Sequence, residues 1–447
     1  MVVPTLAVST GTVLQPYMPV FYVAFLATLI LTPIMRRMAH RHGVVDDPDN
    51  KRKIHSQPIA YLGGVSIFLG WLAGITISVF LSPHNTKDIF IPTVQIPAGV
   101  LLGAAIVVIF GLLDDVYGLK PKIKLFGQFL AASFLIIPGA LKIGGSDFFL
   151  GFQGNKSGIA WMILEPLQRF QFISSQWEAT PYFVPMLAVI SALAAIFIII
   201  ACCNATNLLD GLDGLCSGVT GIMSLGYLIL AVYLATQGLS SPELDGTRIT
   251  LSLALMGAVM GFLPYNFNPA SIFMGDTGSM FLGFICGTMI LLFAQIGSFR
   301  WFLSAIIIFG LPMMDTFLAI VRRKLNGQPV FSPDSNHFHH FLVRKGLTVR
   351  KAVLLSYGVV AIFVSFALII VIVPTRLAIG IYLVLFGWII VAAFKVGMIF
   401  QHTVPATANT QLNMAALQPN AQPSTEVVSP PLVVSGTPAP TEAESNV

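Results

Sequence analysis

The chain has 447 residues, of which 55% are hydrophobic and only 10% charged, with a formal net charge of +5. Soluble domains carry about 25% charged residues, and the mean hydropathy here is +0.83. These figures exclude an ordinary soluble globular domain and define an all-α, polytopic transmembrane helix bundle embedded in a lipid bilayer.

A crossing needs roughly 17–25 apolar residues, and by that measure the chain offers about eleven. They fall at 17–38, 62–82, 97–113, 124–142, 183–203, 215–236, 249–267, 279–296, 302–320, 352–373 and 377–399. No charged residue precedes Arg36, so the first run lacks the basic start of a signal peptide and reads as a true span. The loop 143–182 contains an amphipathic piece, Trp161 to Trp177, whose aromatics suit the membrane interface. Residues 1–400 read as one membrane-embedded domain. Residues 401–447, rich in Pro, Ser, Thr, Ala and Gln, read as a disordered cytoplasmic tail. The four cysteines form no C-x-x-C pair, so neither a disulfide framework nor a thiolate zinc site is indicated.

Lys and Arg set the orientation. With the N-terminus outside and the C-terminus cytoplasmic, 17 of the 24 basic residues lie on the inner side. Every polar motif then falls on that same cytoplasmic face.

Taken in order, the first motif is the basic stretch around Lys53 and His55 that leads to Gly63-Gly64, a pair able to allow close helix packing. Asp46, Asp47 and Asp49 just before it read as ordinary loop acids. Asp114-Asp115 ends an inner helix. Adjacent carboxylates repel unless a cation sits between them or one is protonated, and Mg²⁺ is a hard ion held by carboxylates and substrate phosphates. Lys120, Lys122 and Lys124 form an anion-attracting rim, at least two of them as solvated topology charges. The stretch Asn204, Asn207, Asp210, Asp213 begins as helix and breaks near Gly211. Its carboxamides and carboxylates suit a base, ribose hydroxyls or a metal, although Asn204 also suits hydrogen bonding between helices. Asn266, Phe273 and Asp276 surround a Gly-bracketed loop that opens the next span. Asp276 there is a metal ligand or, with Ser279, a candidate N-cap for a helix starting near 279. Asp315, inside the ninth span, is a buried acid. His337, His339 and His340 follow in a basic loop and read as hydrogen-bond donors and partial positive charges for a diphosphate.

The ordered set Lys-Ile-His-Ser-Gln-Pro with Leu-Gly-Gly (53–64), Gly-Leu-Leu-Asp-Asp (111–115), Asn-Ala-Thr-Asn-Leu-Leu-Asp-Gly-Leu-Asp-Gly (204–214), Asn-Pro-Ala-Ser-Ile-Phe-Met-Gly-Asp-Thr-Gly-Ser (268–279), Leu-Pro-Met-Met-Asp-Thr (311–316) and Ser-Pro-Asp-Ser-Asn-His-Phe-His-His (332–340) resembles the polyprenyl-phosphate N-acetylhexosamine-1-phosphate transferases, glycosyltransferase family 4. It is most similar to the bacterial undecaprenyl-phosphate N-acetylglucosamine-1-phosphate transferase branch, over residues 17–400. The resemblance implies transfer of N-acetylglucosamine 1-phosphate from UDP-GlcNAc to undecaprenyl phosphate at the cytoplasmic face of a bacterial plasma membrane, releasing UMP. The product would start a cell-surface glycan such as a teichoic acid or O-antigen. The resemblance further implies Mg²⁺, replaceable by Mn²⁺, on Asp276 with Asp115, and Asp114 acting on the lipid phosphate. Asn207, Asp210, Asp213, Asn266 and Phe273 would form the uridine and ribose pocket. His337, His339 and His340 would contact diphosphate or sugar, and Lys53 and His55 the substrate. No nucleic-acid partner is expected, and a homodimer is one candidate assembly. The competing reading, a secondary transporter, places its polar groups near the midplane at a repeat interface; here they gather at one face.

Overall fold

The computed structural model describes residues 10–46, 58–81, 94, 96–136, 183–296, 299–327, 329 and 337–395. The expectations for Lys53, His55, the loop 143–182 and the tail 401–447 lie outside the described residues.

Where the expected spans fall on described residues, those positions are largely helical. A short α1 (Thr10–Leu14) and a 3-10 turn lead into α2 (Met18–His42), followed by α3 (Gly63–Leu81), α4 (Ala98–Tyr117) and α5 (Pro121–Ile136). Then come α6 (Phe183–Leu209), α7 (Leu215–Gln237), α8 (Pro242–Asn266) and α9 (Gly275–Ala294). Among the described residues, eight helices are long and apolar enough to cross a membrane. The molecule is therefore an all-α multi-pass membrane protein. Between α2 and α3 the chain makes two two-residue strands, β1 (Val45–Asp46) and β2 (Ile59–Ala60), paired antiparallel.

The expected ninth span is not one helix. α10 (Phe299–Ile308) and α11 (Gly310–Leu325) meet at 76°. Pro312 has no N–H to donate to Ile308, so a continuous helix would lose a bond there. A fresh start at Gly310 puts the proline in a first turn, where its missing donor costs nothing. The short α12 (Phe338–Arg344) and the long α13 (Val349–Ile372) and α14 (Thr375–Lys395) complete the bundle.

α9 is the central helix: its whole apolar window is buried, against α3, α4 and α6. Without water to drive apolar faces together, membrane helices associate through close packing at small residues. A Cβ on Gly283 would stand 2.5 Å from the Cys202 carbonyl of α6, and one on Gly111 of α4 would stand 2.5 Å from the Thr277 backbone. At the far end of α9 the fully buried Arg248 donates from Nε (3.2 Å) and Nη2 (2.7 Å) to the Leu292 carbonyl. Asp245 accepts from its Nη1 at 2.9 Å and balances the charge. A cation at a helix C-terminus complements the dipole and satisfies last-turn carbonyls.

The N-terminus of α3 lies on the N-terminus of α9 through glycine, as the Gly63-Gly64 pair anticipates. Gly64 N donates to the Met274 carbonyl at 3.0 Å, and a Cβ at Gly64 would collide with the Gly278 backbone. Gly64→Ala should therefore cost about 1–3 kcal/mol, the usual range for overpacking. On α13 nothing lies within 4 Å of a Cβ added at Gly358, so Gly358→Ala should be neutral or slightly stabilising. Thermal unfolding of the two variants in detergent checks this: equal transition temperatures would refute the backbone contact.

Candidate active site

The site is built on the first turn of α9. Its leading N–H groups need partners from outside the helix, and the preceding Met274 makes no side-chain cap. Asp115, at the end of α4, provides one across the helix boundary. Its Oδ1 accepts from Asp276 N at 2.7 Å, and its Oδ2 accepts from Thr277 N at 3.0 Å and from Thr277 Oγ1 at 2.5 Å. Gly275 makes room: its φ is +66°, and a Cβ there would stand 2.5 Å from the Asp115 carboxylate. The helix therefore begins four residues before the expected 279, and neither Asp276 nor Ser279 serves as its N-cap.

Asp276 consequently projects from the first turn with both oxygens free for side chains. Oδ1 accepts from Asn207 Nδ2 at 2.8 Å, and Oδ2 accepts from Lys124 Nζ at 2.6 Å. The same ammonium lies 2.5 Å from Asp114 Oδ2, while Asp114 Oδ1 accepts from Leu119 N at 2.7 Å. Asp114, Asp115 and Asp276 each offer an oxygen, all within 4.8 Å of one another. An all-oxygen, multiply negative donor set suits a hard divalent cation, and the Lys124 ammonium bridging two of the three already shows that the cluster holds positive charge. Of the three, Asp115 has both oxygens committed to the first turn of α9, whereas Asp114 gives one oxygen to Leu119 N. Lys120 and Lys122 are exposed, whereas Lys124 is half-buried and turned inward. The clue in the sequence is helical spacing, because Lys124 shares a face with buried Gly127, Gln128 and Ala131.

Beside this cluster lies a cavity of about 490 Å³. Its second wall is the break between α6 and α7, where the helix stops at Leu209 and resumes at Leu215, as the Asn/Asp spacing leads one to expect. Asp210 lines the cavity; its N–H donates to the Asn207 carbonyl at 3.3 Å, but its carboxyl has no hydrogen-bond or ion-pair partner among the described residues. Burial, reinforced by the negative charges of Asp276, Asp115 and Asp213, pushes its carboxyl up to about 8. Asp213 and Asn266 also line the cavity but are engaged in shaping it. Asp213 Oδ2 accepts from Asn268 Nδ2 (2.9 Å) and Ala270 N (3.0 Å). Asn266 Oδ1 accepts from Ser217 Oγ (2.8 Å) and Gly214 N (3.2 Å). The third wall is aromatic: Phe273 meets Tyr61 edge-on at 5.9 Å, and β2 fixes the pair through the Phe273 N–H donating to the Ala60 carbonyl at 2.8 Å. Tyr61 is a wall residue with no chemical signal in the sequence. Asp46, read as a plain loop acid, lies on the wall as well, because β1 carries it there.

The histidines divide. His340 lines the cavity. His337 Nδ1 lies 3.0 Å from Asp315 Oδ2, and Asp315 Oδ1 accepts from Phe338 N at 2.8 Å, so the buried Asp315 anchors the start of α12. His339 is 1% exposed, lies against Gly211, and neither ring nitrogen has a hydrogen-bond partner among the described residues. Burial first, then the neighbouring His340, lowers its pKa to about 3. His339 is therefore neutral and carries none of the positive charge expected of it. Asn204 likewise departs from the substrate role: its amide donates to Gln128 Oε1 (2.7 Å) and to the Ile200 carbonyl (2.8 Å), away from the cavity. The structure thus brings Asn207, Asp210, Asp213, Asn266, Phe273, Asp276 and His340 to one cavity. Asp114 and Asp115 adjoin it through Asp276, and Asn204, His337 and His339 lie behind its walls.

A multi-pass helix bundle with an acidic cluster beside a cavity of mixed polar and aromatic lining, at one end of its central helix, has the features of a membrane enzyme of charged substrates. The family model for glycosyl transferase family 4 matches residues 97–294, from α4 to the end of α9. The chain is 36% identical to the probable undecaprenyl-phosphate N-acetylglucosaminyl 1-phosphate transferase of Bacillus subtilis, over 77% of this chain and 82% of that one. It is 32% identical to the decaprenyl-phosphate N-acetylglucosaminephosphotransferase of Mycolicibacterium smegmatis, over 76% and 79% of the two chains. It is 28% identical to the undecaprenyl-phosphate alpha-N-acetylglucosaminyl 1-phosphate transferase of Yersinia pestis, over 74% and 78%. The chain belongs to glycosyl transferase family 4.

The raised pKa of Asp210 has a thermodynamic consequence. A carboxyl that titrates near 8 when folded and near 3.8 when unfolded contributes stability that is complete below the unfolded value and is lost as pH rises through the folded one. Asp210→Asn has no such dependence. In metal-free protein, the melting-temperature advantage of Asp210→Asn over the wild type should grow between pH 5 and pH 8.5. A pH-independent gap would show that Asp210 is ionised throughout.

Proposed function

We propose that this protein transfers N-acetylglucosamine 1-phosphate from UDP-GlcNAc to undecaprenyl phosphate, giving undecaprenyl-diphospho-GlcNAc and UMP. The observation that carries the reading is the Asp114–Lys124–Asp276 cluster opening onto an aromatic- and carboxylate-lined cavity. The names of the relatives support the same donor group and a polyprenyl phosphate acceptor. The transferase family replaces the transporter alternative. In the reaction an oxygen of the lipid phosphate bonds to the phosphorus that carries the sugar. The bond from that phosphorus to the bridging oxygen breaks, and UMP leaves with the electron pair.

The chain's residues supply position and charge, the main demands of phosphoryl transfer. Tyr61 and Phe273 offer aromatic surface to the uracil. Asp210 and Asn207 face the cavity with polar groups for nucleotide N–H and hydroxyl groups. Asp276 and Asp114 are the pair that would hold Mg²⁺ or Mn²⁺, with Asp115 fixing the backbone of Asp276 rather than acting mainly as a ligand. When bound, the cation offsets charge on the diphosphate and on the departing UMP. A lipid phosphate is already ionised near neutral pH, so no carboxylate is required as a general base; the part of Asp114 would be to hold the cation whose positive charge faces that phosphate. The excess of basic residues on the loops of this end supports a site on the cytoplasmic side of a bacterial plasma membrane, and with it the reading of eleven crossings, the N-terminus outside and the C-terminus inside. The product is the first lipid-linked intermediate of a surface glycan.

Purified protein incubated with undecaprenyl phosphate, Mg²⁺ and radiolabelled UDP-GlcNAc should move label into the organic phase and release UMP. Asp276→Asn, which keeps the side-chain shape but removes the charge, should lower the rate by roughly a hundredfold or more. A folded wild type that makes no lipid-linked label from UDP-GlcNAc or any other UDP-HexNAc would overturn the assignment.

A further inference from the structure

Lys124 occupies an unusual position for one of three closely spaced lysines on a basic loop. It rises from the first turn of α5, and its ammonium lies between Asp114 Oδ2 at 2.5 Å and Asp276 Oδ2 at 2.6 Å. Those two oxygens come from different helices, α4 and α9, and with Asp115 they belong to a group of three carboxylates offering oxygens within 4.8 Å. One ammonium faces three carboxyl groups, so the cluster has more oxygen ligands than its one cation engages. A small divalent ion would engage them, but it binds carboxylate oxygens at about 2.0–2.1 Å. It needs the lone pairs that the ammonium now uses. Lys124 and the ion therefore compete for the same two oxygens. A lysine stem is flexible and carries a compact, mobile charge. Its side chain is 29% exposed, so packing does not lock it in place.

We infer that Lys124 is a tethered counter-ion: it holds Asp114 and Asp276 together in the metal-free protein, is displaced from them by the divalent cation, and then presents its ammonium to a substrate phosphate. Metal loading and phosphate capture are thereby coupled through one side chain. In the free protein the lysine keeps two repelling carboxylates in register. In the loaded protein the same charge stands next to the ion, where an incoming phosphate adds negative charge. The inference rests on the proposed metal-dependent phosphotransfer, and it makes Lys124 a positioning residue for the ion as well as a phosphate contact.

The test is an Mn²⁺ titration followed by electron paramagnetic resonance, on full-length protein in detergent without substrate. The wild type, Lys124→Met, Lys124→Arg and Lys122→Met are compared. Lys122 is exposed on the same helix, so Lys122→Met makes the same change in net charge without touching the cluster. Removing the competitor should tighten Mn²⁺ binding in Lys124→Met by about tenfold, the scale of one charge-assisted contact. Lys124→Arg, whose planar fork bridges carboxylates more rigidly, should bind Mn²⁺ more weakly than the wild type and guards against misfolding of the methionine variant. Lys122→Met should match the wild type. Lys124→Met should also lose lipid-product formation despite its tighter Mn²⁺ binding, because the phosphate contact is gone. Unchanged or weaker Mn²⁺ binding in Lys124→Met, or no Mn²⁺ binding by any variant, overturns the inference. Parallel transfer assays on the wild type separate the two ideas. If lipid product forms but the Mn²⁺ order fails, only the role of Lys124 is lost. If the Mn²⁺ order holds but no product forms, the reaction assignment is lost and the competition stands.

Discussion

The inner geometry depends on one carboxylate bridging two helices. Asp115 ends α4 and caps α9, accepting from two backbone N–H groups and a hydroxyl. In a bilayer-embedded bundle an unsatisfied N–H costs several kcal/mol, so this contact fixes where α9 can begin. It also fixes the rotation of the first turn, and hence where Asp276 points. The opposite end of α9 is closed by the Arg248 guanidinium on the Leu292 carbonyl. A negative group at the N-terminus and a positive one at the C-terminus both complement the helix dipole. The central helix is thus held at both ends by side chains from its neighbours and along its length by glycine contacts. A rigid scaffold of this kind lets a charged first turn be presented to a cavity without collapsing onto its own backbone.

Charge is arranged unevenly around that turn. Asp115 is stabilised by donors, Asp114 and Asp276 share an ammonium, and Asp210 has neither. Burial and the neighbouring carboxylates oppose the ionisation of the last. A nucleotide bringing N–H and O–H donors, with a cation beside it, would supply what Asp210 lacks. His339 is the inverse case: a basic group held neutral by burial and by its neighbours. Its packing against Gly211 ties the histidine segment to the break between α6 and α7. That contact explains a side chain in this motif that does not reach the cavity. Positive charge at the site comes instead from Lys124, which the basic-loop pattern had hidden among topology signals.

The spans were legible because a bilayer leaves little choice. A long apolar run must be helix, and each run carries helix at its described residues, eight of those helices being long and apolar enough to cross. The break of the ninth run was written in Gly310-Leu-Pro312 but masked by hydropathy, which averages over a window and does not register one missing donor. The convergence of motifs was legible from spacing at helix ends: Asp276, Asn207, Asp210 and Phe273 all reach the cavity. Asp46 and Tyr61 were not, since a two-residue strand pairing β1 with β2 leaves no periodic trace. Their place depends on Ala60 meeting the segment before α9, a contact between residues more than two hundred positions apart.

What sequence reasoning could least separate was chemistry from architecture, and the reason is physical. Helix ends and breaks in a membrane protein expose backbone donors and acceptors that must be satisfied, and Asn, Asp and Ser are the residues that satisfy them. The same residue types recognise nucleotides and bind cations. A polar motif at a helix terminus therefore carries two meanings at once. Asn266 and Asp213 show both, since each lines the cavity while bonding the loop that shapes it. Asn204 resolves to architecture, with its amide between helices. Asp276 resolves to chemistry because Asp115 has taken over the capping that Asp276 would otherwise perform. The division of labour within the acidic cluster is thus a consequence of helix capping: Asp115 satisfies the first turn of α9, which leaves both Asp276 oxygens to the Asn207 amide and the Lys124 ammonium.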